Sequence, residues 1–252
     1  MAGGRGTRIS EETDNKPKPM IEVGGWPLLW HIMKNYAHFG FDEFAVALGY
    51  RGEVIKKFFL DYPLMAADLT VSLSKSDVSR NGKHGAEDWT VHLVDTGTDT
   101  LTGSRVKRLA SLLGNETFMV TYGDGVANVN IDDLLAYHRS HGLLATVTAV
   151  HPPARYGGIV FNGSQVVKFS EKPQASEGWI NGGFLVFEPG ILDLLRDKDD
   201  SLEANLMERL AADGQLAAYR HHGFWQCCDT LRELRLLQSL WDGGRAPWKL
   251  WS

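Results

Sequence analysis

Ala2-Gly3-Gly4-Arg5-Gly6-Thr7-Arg8, followed by Lys16-Pro17-Lys18-Pro19-Met20, is the stretch on which the reading of this chain turns. A loop this rich in glycine lets backbone N–H groups approach phosphate oxygens or a base without interference from Cβ. Arg8 and Lys18 add positive charge suited to a polyphosphate, and the prolines flanking Lys18 stiffen its backbone. Two better-known phosphate loops are excluded. A dinucleotide fingerprint needs glycine where Ile9 stands, and the Gly-Lys-Ser/Thr of a Walker A loop is absent. Alone, the glycines fit a flexible terminus as well as a ligand loop. The downstream sequence decides between the two.

Past this loop, helical and strand patterns alternate. Pro27 opens a helix whose apolar residues Leu28, Leu29, Ile32, Met33, Tyr36 and Phe39 share a face, and Gly40 closes it. Phe44 to Leu48 reads as a buried strand, Arg51 to Leu60 as a helix, and Leu69 to Leu73 and Thr90 to Asp95 as strands. Ser104 to Leu113 is helical, and the strand Phe118 to Tyr122 runs into Gly123-Asp124-Gly125. A helix from Ile131 to His141 leads to the strand Leu143 to Val150. After Pro152-Pro153 a β-hairpin is expected around Asn162-Gly163. Further strands are expected at Trp179 to Phe187 and Leu216 to His221, with helices at Ile191 to Arg196, Leu202 to Ala212 and Thr230 to Trp241. The rhythm predicts an α/β fold: a single Rossmann-like domain with a mixed, mostly parallel sheet and a small β-rich part. The texture changes near residue 150, which divides the chain into 1–150 and 151–252.

Composition narrows the function. With 252 residues, a net charge of −5 and no dense Lys/Arg tract, the chain does not read as a nucleic-acid binder. No apolar run approaches the roughly 20 residues of a membrane helix, and no signal peptide is visible, so a cytoplasmic location is expected. The adjacent Cys227 and Cys228 are read as two reduced thiols, since they suit neither a disulfide nor a zinc site. His138 and His141 lack a third ligand and are read as surface residues; His221 and His222 are expected to pack or face solvent. Trp241, Trp248 and Trp251 read as packing or subunit-contact residues.

The loop does not stand alone. Gly24 to Pro27 (Gly-Gly-x-Pro), Tyr122-Gly123-Asp124-Gly125, Tyr156-Gly157-Gly158, Glu171-Lys172-Pro173, Asn181-Gly182-Gly183-Phe184 and Phe224-Trp225-Gln226 with Asp229-Thr230 recur in order. Together these stations resemble the signature of the sugar-1-phosphate nucleotidyltransferases over the whole chain, a glycosyltransferase-A-like fold. Ile9 to Asn15, Asp95-Thr96-Gly97 with Thr102-Gly103 and Arg105, and Ala246 to Lys249 are similar to the branch that uses CTP and glucose 1-phosphate.

The resemblance implies roles. Lys18 would stabilise the α-phosphate, Arg8 would hold the β- and γ-phosphates, and Lys172 would grip the sugar phosphate. Ala2, Gly3, Gly4, Gly6, Thr7, Arg8, Gly103 and Asp124 would line the nucleotide. Gly157, Glu171, Lys172 and Asn181 would meet the sugar phosphate. Asp124, after a buried strand and between glycines, reads as a Mg²⁺ ligand, and Asp229 is implied as the second. Alone, Asp229 reads more readily as a helix N-cap before Thr230. A homo-oligomer feeding lipopolysaccharide O-antigen or other nucleotide-sugar synthesis is implied too. Two alternatives stay open: the same reaction with UTP or dTTP, and an inactive nucleotide- or sugar-phosphate-binding protein.

Two departures stand out. In this family a buried strand precedes the glycine loop, whereas only Met1 precedes Ala2 here, so either the true start lies upstream or the first strand is missing. Unpaired neighbours would cost about 1–3 kcal/mol per buried backbone group. Trp26 also replaces the lysine usual in Gly-Gly-Lys-Pro.

Overall fold

Proline and glycine punctuation places most elements where the periodicity predicts them. The structure, a computed structural model, describes residues 1–4, 15–81, 87–153, 158–162, 165–170 and 178–251. A 3₁₀ turn at Lys18–Met20 leads into a hairpin of β1 (Glu22–Val23) and β2 (Trp26–Pro27). Its turn holds Gly24 and Gly25 at φ of 61° and 79°, a region open to glycine at no steric cost. Pro27 then caps α1 (Leu28–His38), which buries Leu28, Leu29, Ile32, Met33 and Tyr36. β3 (Glu43–Leu48) is followed by α2 (Gly52–Met65), which passes the expected end at Leu60. Burial of Tyr62 carries it on: the Tyr62 hydroxyl accepts from Trp30 Nε1 at 2.9 Å and donates to Glu87.

An antiparallel hairpin of β4 (Asp68–Ser72) and β5 (Asp77–Asn81) precedes β6 (Thr90–Asp95). The single helix expected over 104–113 is two pieces, α3 (Thr102–Arg108) and α4 (Ala110–Leu113). β7 (Phe118–Thr121), β8 (Gly125–Ala127), α5 (Ile131–His141) and β9 (Ala145–Val150) come next. β10 (Gly158–Asn162) and β11 (Gln165–Ser170) form the anticipated hairpin. Then come β12 (Ile180–Phe187), a 3₁₀ stretch at Pro189–Leu194, a π-helical turn at Leu202–Met207 and α6 (Glu208–Ala212). β13 (Leu216–His221), β14 (Trp225–Cys227) and α7 (Leu231–Asp242) complete the order.

The largest sheet runs β13-β9-β12-β7. β13 is parallel to β9, and β12 is antiparallel to both its neighbours. A second parallel pair, β3 and β6, registers Glu43 with Thr90 through Leu48 with Asp95. The fold is mixed α/β. α1, α5 and the chain's last turns pack on one apolar cluster that includes Ile32, Val126, Leu134, Phe184 and Trp248.

Met1 to Gly3 join the two sheets. Ala2 N–H donates to Ala47 O at 3.1 Å and forms one parallel bridge with Leu48. On the other side, the Met1 amine donates to Thr121 O at 2.6 Å, and Gly123 N–H donates to Met1 O at 3.0 Å. These residues therefore run between β3 and β7. Beyond Met1 the facing sides of β3 and β7 border a slot of about 520 Å³, lined by Ile32, Phe44, Val46 and Phe118 together with Glu43, His92, Glu116 and Arg139.

One consequence, at His31, can be measured. Its Nε2–H donates to Val23 O at 2.8 Å, and its Nδ1 accepts from Trp248 Nε1–H at 3.3 Å, so the ring is held neutral. Burial pushes its pKa down from 6.5 to about 4. The unfolded chain takes up a proton that the fold refuses, so stability held above pH 6.5 is lost as pH falls from 6.5 towards 4. His31→Gln should flatten that acid limb of a Tm-against-pH curve; an unchanged limb would assign it to other groups.

Candidate active site

A cavity of about 650 Å³ opens where the first residues, the end of β7 and the start of α7 converge. Lys18 lies in its wall and is only 9% exposed. The 3₁₀ turn fixes its backbone: Met20 N–H donates to Pro17 O at 2.8 Å and Ile21 N–H to Lys18 O at 3.0 Å. Lys18 Nζ donates to Asp124 Oδ2 at 3.0 Å and to Asp229 Oδ1. Desolvation by burial opposes the charge, but the two carboxylates outweigh it and raise the lysine above its ordinary pKa. The ammonium stays charged.

Local pairing sets this meeting. A Cβ on Gly123 would lie 2.7 Å from Pro19 and 2.8 Å from Met1 O, so only glycine lets the turn before Asp124 pack on the lysine loop. β14 pairs antiparallel with β8, placing Cys227 opposite Gly125, and Cys228 N–H donates to Asp124 O at 2.7 Å. Asp229 is thereby delivered beside Asp124. Its alternative as helix cap is resolved locally: Thr230 caps α7 in a capping box with Glu233. Glu233 Oε2 accepts from both Asp229 N–H at 2.7 Å and Thr230 N–H at 2.9 Å, which leaves the Asp229 carboxylate to face Lys18.

Ala2, Gly3 and Gly4 also line the cavity. A Cβ on Gly3 would run into the Arg105 guanidinium, whereas one on Gly4 would meet nothing within 4 Å. Arg105 ties this wall together, donating to Leu48 O at 2.9 Å, Thr96 Oγ1 at 2.7 Å, Gly3 O at 3.1 Å and Thr98 O at 3.1 Å. Gly103 packs into the protein, its Cβ position 2.9 Å from Asp200 O, while its neighbour Thr102 reaches the cavity. Asn181, at the start of β12, donates through Nδ2 to the Tyr122 hydroxyl at 3.3 Å. Gly6, Thr7, Arg8, Gly157, Glu171 and Lys172 lie outside the described residues.

The donor set suits a hard divalent cation. Asp124 and Asp229 present carboxylate oxygens to one point, and the Lys18 ammonium already stands there as a positive charge. Among the described residues no group of three or more His, Cys, Asp or Glu side chains is placed to hold a metal. Further ligands would have to be phosphate oxygens and water.

Burial pushes both thiols up to about 12, so Cys227 and Cys228 are neutral and no nucleophile. His138 is not a surface residue. It is buried, with Nδ1 2.8 Å from Thr146 Oγ1 and Nε2 3.1 Å from Glu188 Oε1, because its helix lies on β9 and the start of the 3₁₀ stretch. His221 packs beside Asn128 and Phe224, and Trp248 is buried against His31. Glu203, on the cavity wall, escapes a reading of the sequence, and Tyr122 is legible only as part of the Tyr122-Gly123-Asp124-Gly125 station. Glu203 carries no signal of its own, being one of several acids after Asp197.

A profile described as nucleotidyl transferase matches residues 1–234. The chain belongs to that family. Among relatives of this nucleotidyl transferase, glucose-1-phosphate cytidylyltransferase of Salmonella typhimurium is 45% identical over 252 residues, covering 100% of this chain and 98% of the relative. A probable glucose-1-phosphate cytidylyltransferase of Bacillus subtilis is 42% identical with the same coverage. A UDP-glucose pyrophosphorylase complexed with UDP-glucose superposes with a TM-score of 0.68 at 17% identity, covering 97% of each chain. HddC from Yersinia pseudotuberculosis gives 0.67 at 19%, covering 95% and 96%. At those identities the structures speak for the fold alone.

The capping box predicts that Thr230→Ala costs about 1 kcal/mol of stability. Urea unfolding measures it, and an unchanged midpoint would show that the cap does not secure the Asp229 loop.

Proposed function

We propose that this chain transfers the cytidylyl group of CTP to α-D-glucose 1-phosphate, giving CDP-glucose and pyrophosphate. What carries the reading is a lysine held between two aspartates in the cavity, in a chain 45% identical over its full length to glucose-1-phosphate cytidylyltransferase. A sugar-phosphate oxygen attacks the α-phosphorus of CTP, a P–O bond forms, and the bond to the β-phosphate oxygen breaks as pyrophosphate leaves. Such a step needs alignment of two anions and neutralisation of developing charge rather than a protein nucleophile.

Asp124 and Asp229 would hold Mg²⁺, which when bound supplies charge and template to the phosphate oxygens. With its carboxylate partners so engaged, Lys18 is the cation that turns to the α-phosphate. Arg8 would hold the outer phosphates and Lys172 the sugar phosphate. Ala2, Gly3, Gly4, Gly6 and Thr7 would offer backbone to the nucleotide, with Gly103 supporting the wall beside Thr102. Gly157, Glu171 and Asn181 would meet the sugar hydroxyls. A homo-oligomer working in the cytoplasm, in nucleotide-sugar supply for surface polysaccharide, completes the reading; no helix among the described residues is long and apolar enough to cross a membrane.

Pyrophosphate release with glucose 1-phosphate, Mg²⁺ and each of CTP, UTP, dTTP, GTP and ATP tests it. Release with CTP alone is expected, and equal release with UTP or dTTP would overturn the base assignment. Lys18→Ala should lower kcat by about 10²–10³, the size of losing one stabiliser of transition-state charge, and weaken CTP binding far less. Asp124→Ala should abolish Mg²⁺-dependent turnover. Near-normal kcat in Lys18→Ala would remove that residue from the mechanism.

A further inference from the structure

One carboxylate in the cavity wall takes no part in the transfer chemistry. Glu203 belongs to the π-helical turn at Leu202–Met207 and lines the same cavity as Lys18. Its Oε2 accepts from Thr102 Oγ1 at 2.7 Å and from Ser201 Oγ at 2.8 Å, and its Oε1 accepts from the Tyr122 hydroxyl. Desolvation by burial is the largest influence on this carboxyl and favours the neutral form, but the three hydroxyl donors outweigh it and hold the group below its ordinary pKa. The pair is a carboxylate and a phenol.

Those states dictate the direction of the remaining bonds. A carboxylate only accepts, so the Tyr122 O–H proton is committed to Glu203. The Tyr122 oxygen is then an acceptor towards its other neighbour, Asn181 Nδ2, at 3.3 Å. At the far side of that amide, Asn181 Oδ1 accepts from Gly183 N–H at 2.8 Å. The amide's two ends are fixed by these partners and cannot exchange. The Tyr122 ring is pinned as well. Its backbone N–H donates to Gly183 O at 3.0 Å, and a Cβ on Gly183, whose φ is 78°, would lie 2.8 Å from the ring. Among the described residues, one N–H of the Asn181 amide is left beyond these bonds.

We propose that Glu203 is a positioning residue for sugar recognition: acting through Tyr122, it locks the Asn181 amide so that its remaining N–H meets a hydroxyl oxygen of the hexose 1-phosphate. The proposal rests on the reading of Asn181 as a sugar contact. Its chemistry is that of a directed hydrogen-bond chain, in which an ionised terminus sets the polarity of each member. Glu203→Gln puts a neutral amide at that terminus and removes the compulsion. The new amide can donate to the Tyr122 oxygen and turn its hydroxyl proton towards Asn181 Nδ2, so the Asn181 amide loses its acceptor on that side and is held by Gly183 N–H alone.

Calorimetric binding of glucose 1-phosphate and its 2-, 3-, 4- and 6-deoxy analogues to the full chain tests this without needing turnover. The proteins are the unmutated chain, Glu203→Gln, Tyr122→Phe and Asn181→Ala, each also titrated with CTP and Mg²⁺. In the unmutated chain one deoxy position is expected to weaken binding about tenfold, the loss of one directed hydrogen bond. In Glu203→Gln and Tyr122→Phe that one penalty should fall to within about twofold, with the other deoxy penalties and CTP binding kept. A general structural fault would instead weaken all ligands together, which overturns the proposal. Should Asn181→Ala erase the penalty while Glu203→Gln retains it, the relay is wrong and the sugar contact stands. Should Asn181→Ala retain it, the sugar contact is wrong and the relay falls with it.

Discussion

A buried ammonium between two carboxylates organises this molecule. Asp124 and Asp229 lie 106 and 211 residues from Lys18, so the contact exists only when three remote segments are correctly folded. Each segment is built to deliver its residue. Two prolines and a 3₁₀ turn stiffen the lysine. A glycine packed on Pro19 sets the turn before Asp124, and a capping box frees Asp229 from the helix it precedes. The arrangement is unfavourable without a cation, since two facing carboxylates in a half-buried cavity repel one another. Lysine meets that need in the protein alone, and a divalent ion is the chemical equivalent that a polyphosphate brings with it.

Around this centre the fold uses its buried polar groups to hold loops. Arg105 is 4% exposed and gives its hydrogen bonds to Leu48 O, Gly3 O, Thr98 O and Thr96 Oγ1. It thereby fixes the first glycines against the end of β3, which a short N-terminal contact of one bridge would do poorly. Tyr122 performs a similar service on the opposite wall, joining the end of β7 to β12 and to the turn that carries Glu203. The charged groups that meet in the cavity sit on loops, while strands and helix starts fix where the loops go.

Much of this is legible in the sequence, for physical reasons that also mark where legibility stops. α1, β6, α5 and β13 have strong periodicity and Gly, Asn or Pro stops, and they fall within a residue or two of their expected bounds. Lys18, Asp124 and Asp229 are visible as stations of a recurring signature, and their meeting supplies the reason for the spacing. The end of α2 and the break at Leu109 are not legible, because burial of Tyr62 and packing of α3 are tertiary effects that local pattern does not carry. His138 reads as a surface residue because only the neighbouring β9 and Glu188 make it a buried one. Glu203 and the hydroxyls that surround it are invisible: a glutamate in a helix looks like solvated charge until Tyr122 and Thr102 are seen beside it.

Lys18 and a metal ion are, on this reading, alternative partners of the same two aspartates. A crystal structure with Mg²⁺ and a non-hydrolysable CTP analogue tests that claim most directly. Mg²⁺ is expected on Asp124 and Asp229, with Lys18 Nζ moved onto an α-phosphate oxygen. Lys18 still bridging the two carboxylates, with the metal held elsewhere, would contradict it.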